Sequence, residues 1–255
     1  MDEISKLKVE NEKLKKINAD KANLVSISAH QLRTSLSALK WILKMLIDKD
    51  LGKLTVEQEG FIKKAFDSNE HMITLVNNLL TLNHTGEMNM EPKLEKINLL
   101  KIIEQILFEF SGETFNKGIE LTLLKPEDGL PEINCDTEMM RVVIQNLVEN
   151  AIKYSQPHGK IVMSLRHKKE SNEIEISIHD NGIGISKENQ GNIFNKFFRA
   201  TNAIKKESIG SGLGLFTAKN IVEHHKGKIW FSSEGGSASG GESPGTTFFV
   251  TLPIN

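Results

Sequence analysis

Apolar residues recur at helical spacing along the first third of the chain, in two stretches separated by a polar turn at residues 48–53. Residues 55–58 (TVEQ) have the pattern of a capping box at the start of the second stretch. Together these features predict an antiparallel hairpin of two long amphipathic helices. The apolar positions are Val25, Ala29, Leu32, Leu36, Leu39, Leu43 and Leu46 in the first helix and Phe61, Ala65, Met72, Val76, Leu79 and Leu80 in the second.

One such hairpin has more apolar surface than it can cover by itself. Two copies packed as a four-helix bundle would bury both stripes, so the pattern predicts a homodimer. Ahead of the hairpin, residues 1–21 carry a weaker stripe in which Asn11 and Asn18 are polar. This stretch is predicted to be either a short coiled coil, with the asparagines fixing its register, or a solvated helix.

The rest of the chain mixes strand and helix patterns. Turn residues without periodicity mark a linker at residues 89–96, between a helical domain at 22–88 and a second domain at 97–255. Alternating apolar residues at 161–165 and 174–178 predict a β-hairpin. Further strands are expected at 119–124, 228–232 and 246–252, and helices at 99–110, 136–154 and 213–225. The predicted fold class is α+β: a helical hairpin domain followed by an α/β sandwich.

Composition narrows the class of protein. The formal net charge of the 255 residues is -1, so no overall field favours nucleic acid or an anionic membrane. Cys135 is the single cysteine, which excludes an intramolecular disulfide and favours a reducing, cytoplasmic compartment. No apolar run approaches the ~20 residues that span a bilayer. The chain is expected to be soluble as written, with any sensor or membrane region lying upstream of it in a longer protein.

Three short motifs follow in order in the second domain, at residues 146–154 (NLVENAIKY), 180–184 (DNGIG) and 210–214 (GSGLG). Asn146 and Asn150 are four residues apart, so both amides lie on one face of a helix. Asp180 ends a predicted strand, and the glycines after it permit close approach of a ligand. The last motif precedes a helix, whose N-terminal end attracts phosphate. In this order the motifs resemble the ATP-binding module of histidine kinases, gyrases, chaperones and mismatch-repair ATPases.

Residues 28–36 (SAHQLRTSL) lie on the first long helix. His30 follows Ala29 of the apolar seam, so its imidazole is predicted to be exposed on the flank of the bundle. An unperturbed pKa of about 6.5 leaves this ring neutral and nucleophilic near pH 7. With an ATP module downstream, the segment resembles the phospho-acceptor box of bacterial sensor histidine kinases. The other histidines, including His224 and His225, are interpreted as surface or packing residues.

Two positions depart from that family. Gln31 stands where the family usually has an acidic residue, and its carbonyl can accept the Nδ1–H bond of the histidine without adding charge. We therefore predict slower autophosphorylation. Ser35 stands where the family usually has proline, and its main-chain N–H is expected to straighten the helix.

The resemblance implies a role for each motif residue. His30 would accept the phosphoryl group, and Gln31 would fix its tautomer. Thr34, one turn later, would orient water for dephosphorylation of the partner, and Arg199 would clamp the γ-phosphate. Asn150 would place an oxygen on Mg²⁺. The implied nucleotide-binding residues are Asn146, Asn150, Lys153, Tyr154, Asp180, Gly182, Gly184, Arg199, Gly210, Gly212, Leu213, Gly214 and Thr247.

The sequence therefore predicts a dimeric histidine kinase core that uses ATP and Mg²⁺ and passes its phosphoryl group to an aspartate of a response regulator. Two alternatives stay open. Gln31 and Ser35 favour an ATP-binding scaffold or phosphatase-biased protein with weak autokinase activity. A gyrase- or chaperone-type ATPase is the other, against which the histidine box and the hairpin argue.

Overall fold

The computed structural model describes residues 3–85, 92–206, 210–233 and 245–254. The chain divides between residues 90 and 91 into two compact units. The first unit is helical, and the second is a mixed β-sheet with helices, so the predicted fold class is confirmed. No helix in the described ranges is both long and apolar enough to cross a membrane.

Two long helices form the first unit, α1 (Glu3–Ile47) and α2 (Val56–Thr85). Helix α1 passes residue 21 without a break, so the stretch predicted as a short coiled coil or a solvated helix is continuous with the first helix of the hairpin. Helix α2 begins at the predicted capping box. The main-chain N–H of Thr55 donates to Oε1 of Gln58 at 2.9 Å, and that of Gln58 donates to Oγ1 of Thr55 at 3.2 Å.

Apolar and polar contacts together join α1 to α2. Ala29, Leu43 and Val76 are buried. Asn69, which is fully buried, donates from Nδ2 to the main-chain oxygen of Leu36 at 3.0 Å. The other predicted stripe positions with large side chains are not all covered within one chain. Those that stay exposed are Leu32, Leu39, Phe61 and Met72.

The second unit is built on two sheets. Strands β1 (Glu95–Ile97) and β3 (Ile133–Cys135) pair in a small antiparallel sheet. A larger five-stranded sheet has the order β2-β4-β5-β7-β6, with β2 and β4 parallel and the other pairs antiparallel. Its strands are β2 (Glu120–Leu124), β4 (Lys160–Lys168), β5 (Glu173–Asp180), β6 (Lys228–Ser232) and β7 (Thr246–Pro253). The helices are α3 (Leu99–Glu109), α4 (Ser111–Lys117), α5 (Thr137–Tyr154), α6 (Lys187–Gln190), α7 (Thr201–Lys206) and α8 (Gly214–His224).

The predicted linker at 89–96 is shorter than expected at its C-terminal end, because residues 95 and 96 belong to β1. Strands β1 and β3 have three residues each, too few to produce a recognisable alternation. The helices α4, α6 and α7, also absent from the prediction, have at most seven residues. The β4–β5 hairpin and the helices α3, α5 and α8 confirm the corresponding predictions.

One face of the larger sheet packs against α5 and α8, and α3 packs against α5, so that the three helices and the sheet share one core. Alternate residues of β5, such as Ile176 and Ile178, point to that face, as does Val250 of β7. They meet the apolar side of α5, which includes Ile144 and Leu147. This packing holds α5 and α8 side by side, with the polar edge of α5 left for other contacts.

Several predictions lie outside the described residues. They concern the end of the helical domain and the start of the linker, at 86–91, and the side chains of His30, Asn18, Leu79 and Leu80.

Candidate functional site

The N-terminal end of α8 packs against the side chain of Asn146 on α5. Nδ2 of Asn146 donates to the main-chain oxygen of Val142 at 2.8 Å, and Oδ1 faces Gly214. A Cβ atom at Gly214 would lie 2.5 Å from this oxygen, so glycine permits the close approach. Asn150, one turn further along, is also half-buried. Helix α5 thus presents two amides beside a helix end that attracts negative charge.

Two cationic side chains converge at the first glycine of the GSGLG segment. A Cβ atom at Gly210 would lie 3.2 Å from Cζ of Arg199 and 3.3 Å from Nζ of Lys153. Lys153 comes from the last turn of α5, whereas Arg199 precedes α7. Gly212 has a φ of 67°, and a Cβ atom there would lie 2.6 Å from the carbonyl carbon of Phe197. A compact glycine segment beside two cations suits a polyphosphate.

Asp180 is buried at the end of β5 and is the acidic group of the site. Its Oδ1 accepts a hydrogen bond from the main-chain N–H of Gly182 at 2.9 Å, and the N–H of Thr246 also donates to the carboxylate. Burial raises the pKa of Asp180 to about 7, and the two hydrogen bonds only partly oppose that rise. A buried carboxyl group beside a glycine turn is a selective acceptor for a donor on a ligand.

Tyr154 closes one side of the loop after Asp180, through its main chain. Its carbonyl oxygen accepts a hydrogen bond from the N–H of Ile183 at 3.3 Å. A Cβ atom at Gly182 would lie 2.4 Å from the same oxygen. Gly184 has a φ of 64°, and its carbonyl accepts a hydrogen bond from Nδ2 of Asn202 at 3.0 Å. The structure therefore brings the second and first motifs into direct contact.

The structure does not place Thr247 beside Asp180. Oγ1 of Thr247 lies 2.9 Å from Nδ1 of His179, on the opposite face of the sheet. Successive residues of a strand point to opposite faces, so Thr246 is the threonine on the side of Asp180. Thr246 is buried and pairs with Asp180 in register. Thr246 therefore lies beside Asp180, as the burial of Thr246 and Phe248 on the same face of β7 also indicates.

Leu213, Phe194 and Phe198 are packing residues. The side chain of Leu213 is buried, and its carbonyl accepts a hydrogen bond from the N–H of Thr217 at 2.8 Å at the start of α8. Phe194 and Phe198 pack against the core, whereas Phe197 is exposed. Leu213 would contribute to a ligand site through its main chain only.

Two family models match the chain. The His Kinase A (phospho-acceptor) domain matches residues 20–87, which include α1 from Asp20 onward and all of α2. The Histidine kinase-, DNA gyrase B-, and HSP90-like ATPase model matches residues 135–255, which include the three motifs at 146–154, 180–184 and 210–214. The chain thus carries the two domains of a sensor histidine kinase core.

Related proteins extend over most of the chain. The adaptive-response sensory kinase SasA of Crocosphaera subtropica is 30% identical over 257 residues, covering 99% of this chain and 64% of the relative. The sensor histidine kinase WalK of Bacillus subtilis is 29% identical over 238 residues, covering 93% of this chain and 37% of the relative. The histidine kinase chain thus spans 64% of the length of the first relative and 37% of the second.

Solved structures share the fold. The structure of full-length ShkA in complex with AMPPNP aligns with a TM-score of 0.68 and 24% identity, covering 91% of this chain and 45% of that one. The mycobacterial sensor histidine kinase MprB aligns with a TM-score of 0.54 and 26% identity, covering 62% of this chain and 97% of that one.

The phospho-acceptor box of this histidine kinase is helical throughout. The main chain of His30 lies within α1, and the side chains of Gln31 and Thr34 are exposed. Oγ of Ser35 donates to the main-chain oxygen of Gln31 at 3.1 Å, one turn back. Helix α1 continues past Ser35 without interruption.

Three side chains that support the kinase's Asp180 loop were not predicted. They are Gln190 of α6, Asn202 of α7 and Ser233, which follows β6. Gln190 follows the loop by five residues, whereas Asn202 and Ser233 reach it from further along the chain, and none of the three belongs to a motif. Only the folded arrangement reveals them.

Proposed function

We propose that this chain is the autophosphorylating core of a sensor histidine kinase. It transfers the γ-phosphoryl group of ATP to His30 and then to an aspartate of a response regulator. The observation that carries the proposal is the convergence of Asn146, Lys153, Arg199 and the glycine segment around one site, in a chain that also carries a phospho-acceptor helix.

The two ends of the site suit the two ends of ATP. The Asp180 carboxylate accepts a hydrogen bond from the exocyclic amine of adenine, whereas guanine presents a carbonyl at that position. At the other end, Arg199 and Lys153 lie where the glycine segment begins. Phosphoryl transfer depends mainly on positioning and on stabilising charge, and Arg199 supplies a fixed positive charge for the γ-phosphate.

The residues present also fit Mg²⁺, which prefers oxygen ligands. In the parts of the chain that the structure describes, no three His, Cys, Asp or Glu side chains gather as metal ligands. The amide oxygen of Asn150, supported by Asn146, would therefore hold the cation together with phosphate oxygens of the nucleotide. The bound cation would neutralise phosphate charge.

His30 is the proposed nucleophile. Its neutral Nε2 attacks the γ-phosphorus in line, an N–P bond forms, the bond to the bridging oxygen breaks, and ADP leaves. The carbonyl of Gln31 can hold the Nδ1–H tautomer that leaves Nε2 unprotonated. Thr34, exposed one turn along α1, is the proposed group that orients water when the partner is dephosphorylated.

A homodimer through the hairpin completes the proposal. Leu32 is 52% exposed and Phe61 is 64% exposed in the single chain, although both lie on predicted apolar stripes. A second copy packed against these stripes would remove that surface from water.

A second candidate function follows from the histidine box. Gln31 brings no charge to His30, and α1 runs without interruption past Ser35. Both features favour an ATP-binding scaffold or phosphatase-biased protein whose autokinase activity is weak.

The test is incubation with radiolabelled ATP and Mg²⁺, using wild type, His30→Ala and His224→Ala, which removes an exposed histidine from α8. We expect acid-labile, alkali-stable label on wild type and His224→Ala and none on His30→Ala. Bound ATP without label would favour the scaffold. ATP hydrolysis unaffected by His30→Ala would favour a gyrase- or chaperone-type ATPase.

A further inference from the structure

The loop at residues 181–185 is held in place by contacts on several sides. In the middle of the loop, the main-chain oxygen of Tyr154 accepts a hydrogen bond from Ile183, and the side chain of Asn202 donates one to Gly184. At its far end, the main-chain N–H of Ile185 donates to Oγ of Ser233 at 2.9 Å. The loop that follows Asp180 is thus fixed by neighbours from three separate parts of the chain.

The hydroxyl group of Ser233 makes three contacts at once. It donates its proton to the main-chain oxygen of Gly245 at 2.8 Å and accepts the N–H of Ile185. Oγ1 of Thr246 lies 3.1 Å away. A hydroxyl has one proton and two lone pairs, and a carbonyl can only accept, so Thr246 is the donor in this third contact. Ser233 therefore fixes the direction of the Thr246 hydroxyl as well.

Gln190 strengthens the same junction. Its Nε2 donates to the main-chain oxygens of Ile185 at 3.0 Å and Ser233 at 3.1 Å. The side-chain amide of Gln190 and the hydroxyl of Ser233 together tie the end of the loop to the end of β6. We call this set of bonds the Ser233 clasp.

The clasp joins two segments that lie on either side of Asp180. The loop contributes the N–H of Gly182 to the carboxylate, and the start of β7 contributes the N–H of Thr246. Gly245 has a φ of 59°, and a Cβ atom there would lie 2.3 Å from the main-chain oxygen of Asp180. The carboxylate of Asp180 thus accepts one main-chain hydrogen bond from each of the two segments.

We propose that Ser233 is a positioning residue for base recognition. Its hydroxyl holds the loop and the start of β7 at a fixed separation around Asp180, and so sets the preference of the site for adenine over guanine. The inference rests on the proposed ATP site. Within the described ranges, the hydrogen bonds of Ser233 do not extend to Lys153, Arg199 or Gly210. Loss of the hydroxyl should therefore affect the base more than the phosphates.

The experiment compares Ser233→Val with Ser233→Thr in the full chain. Valine has the shape of threonine but carries a methyl group in place of the hydroxyl group. Affinities for Mg-ATP and Mg-GTP are measured by calorimetry, and KM and kcat for ATP are measured by labelling of His30. For Ser233→Val we expect ATP affinity to fall about tenfold, as for the loss of one or two hydrogen bonds, with GTP affinity within about twofold. KM should rise similarly with kcat retained, and Ser233→Thr should behave like wild type.

Ser232→Ala is the matched control, because Ser232 is the exposed neighbour on β6. If Ser233→Val does not fold, Gln190→Ala tests the clasp from its other side with the same expected narrowing of the ATP-to-GTP ratio. An unchanged ratio of ATP affinity to GTP affinity in a folded variant overturns the inference, whether both affinities are retained or both fall equally. Failure of wild type to bind ATP would instead contradict the proposed function.

Discussion

The imidazole of His225 accepts a hydrogen bond at Nε2 from the main-chain N–H of Asp136, at 3.1 Å. Nδ1 of the same ring lies 2.8 Å from the main-chain oxygen of Ile221, to which it must donate. Burial lowers the pKa of His225, so the ring is held neutral in one tautomer. Since Asp136 caps α5 through a bond from Met139, this histidine links the end of α8 to the start of α5.

Acidification should destabilise the second unit through His225. The pKa of His225 is lower in the folded than in the unfolded state, so its favourable contribution is complete above about pH 6.5 and is lost as the pH falls below that value. We expect His225→Gln to show a smaller fall in melting temperature between pH 7.5 and pH 5 than wild type. His224→Gln, which changes the exposed neighbour, should follow the wild-type curve. Parallel curves for His225→Gln and wild type would contradict this account.

Replacing Asp180 with asparagine should raise stability and remove function. The folded-state pKa of about 7 is above the ordinary 3.8, so the contribution of Asp180 is complete at low pH and is lost as the pH rises through 7. Above pH 7.5 the variant should be more stable than wild type, by at most about 4 kcal/mol, with a smaller difference at pH 5 and little difference below pH 4.

The same variant should bind ATP about 100-fold more weakly, because its amide presents a donor to the amino group of adenine. Calorimetry of unfolding and of ATP binding would measure both effects. Asp128→Asn, at an exposed position, should change neither. Retention of ATP affinity in Asp180→Asn would remove Asp180 from the site.

Alanine at Gly214 tests the role assigned to Asn146. The added Cβ would lie 2.5 Å from Oδ1 of Asn146 and must displace that amide. We expect ATP affinity in the presence of Mg²⁺ to fall at least about tenfold while the melting temperature stays close to that of wild type, since alanine favours a helix. Gly191→Ala is the control, because its Cβ would meet nothing within 4 Å. Unaltered nucleotide binding in Gly214→Ala would show that the position of Asn146 is unimportant.

Glutamate at position 31 should accelerate phosphorylation of His30. A carboxylate makes a stronger, charge-assisted bond to Nδ1–H and raises the basicity of Nε2, so we expect an initial rate about two- to tenfold higher. Rapid-quench labelling with Mg-ATP would measure it. Gln105→Glu makes the same change of amide to carboxylate at an exposed site of α3 and should have no effect. An unchanged or lower rate in Gln31→Glu would contradict the interpretation of this departure from the family.

Leucine at position 69 should stabilise the hairpin. Asn69 is fully buried, and within the described residues its Oδ1 has no hydrogen-bond partner. Burying an unpaired oxygen is costly, so we expect Asn69→Leu to raise the free energy of unfolding by about 1–2 kcal/mol despite losing the bond to Leu36. Thermal unfolding of the full chain would detect it, with Ser68→Leu at the exposed neighbour as control. Destabilisation by leucine would mean that the bond to Leu36 outweighs the unpaired oxygen.

Local chemistry made much of this fold predictable. Thr55 and Gln58 form their capping box from residues three apart, and Asp136 was predicted to start the helix that it caps. The strands β1 and β3 could not be predicted, because three residues cannot show a period and their pairing joins distant segments.

In the candidate site too, some features could be predicted from local sequence and others could not. The sequence assigned the first and third motifs to one ATP-binding module, and in the structure they meet at Asn146 and Gly214. The choice between Thr246 and Thr247 required the face of β7, which the alternation of buried residues contained but the motif did not. Ser233 could not be predicted, since its contacts exist only after β6 and β7 have paired.

The bond from Ser233 to Gly245 has a consequence for chain length. These residues are twelve positions apart, and the bond fixes their separation whatever the number of residues between them. The entropy cost of a longer connection grows only slowly with its length. The stretch between Ser233 and Gly245 is therefore a suitable place to insert a fluorescent reporter or an affinity tag, because the added segment would begin and end at a junction already closed by the protein itself.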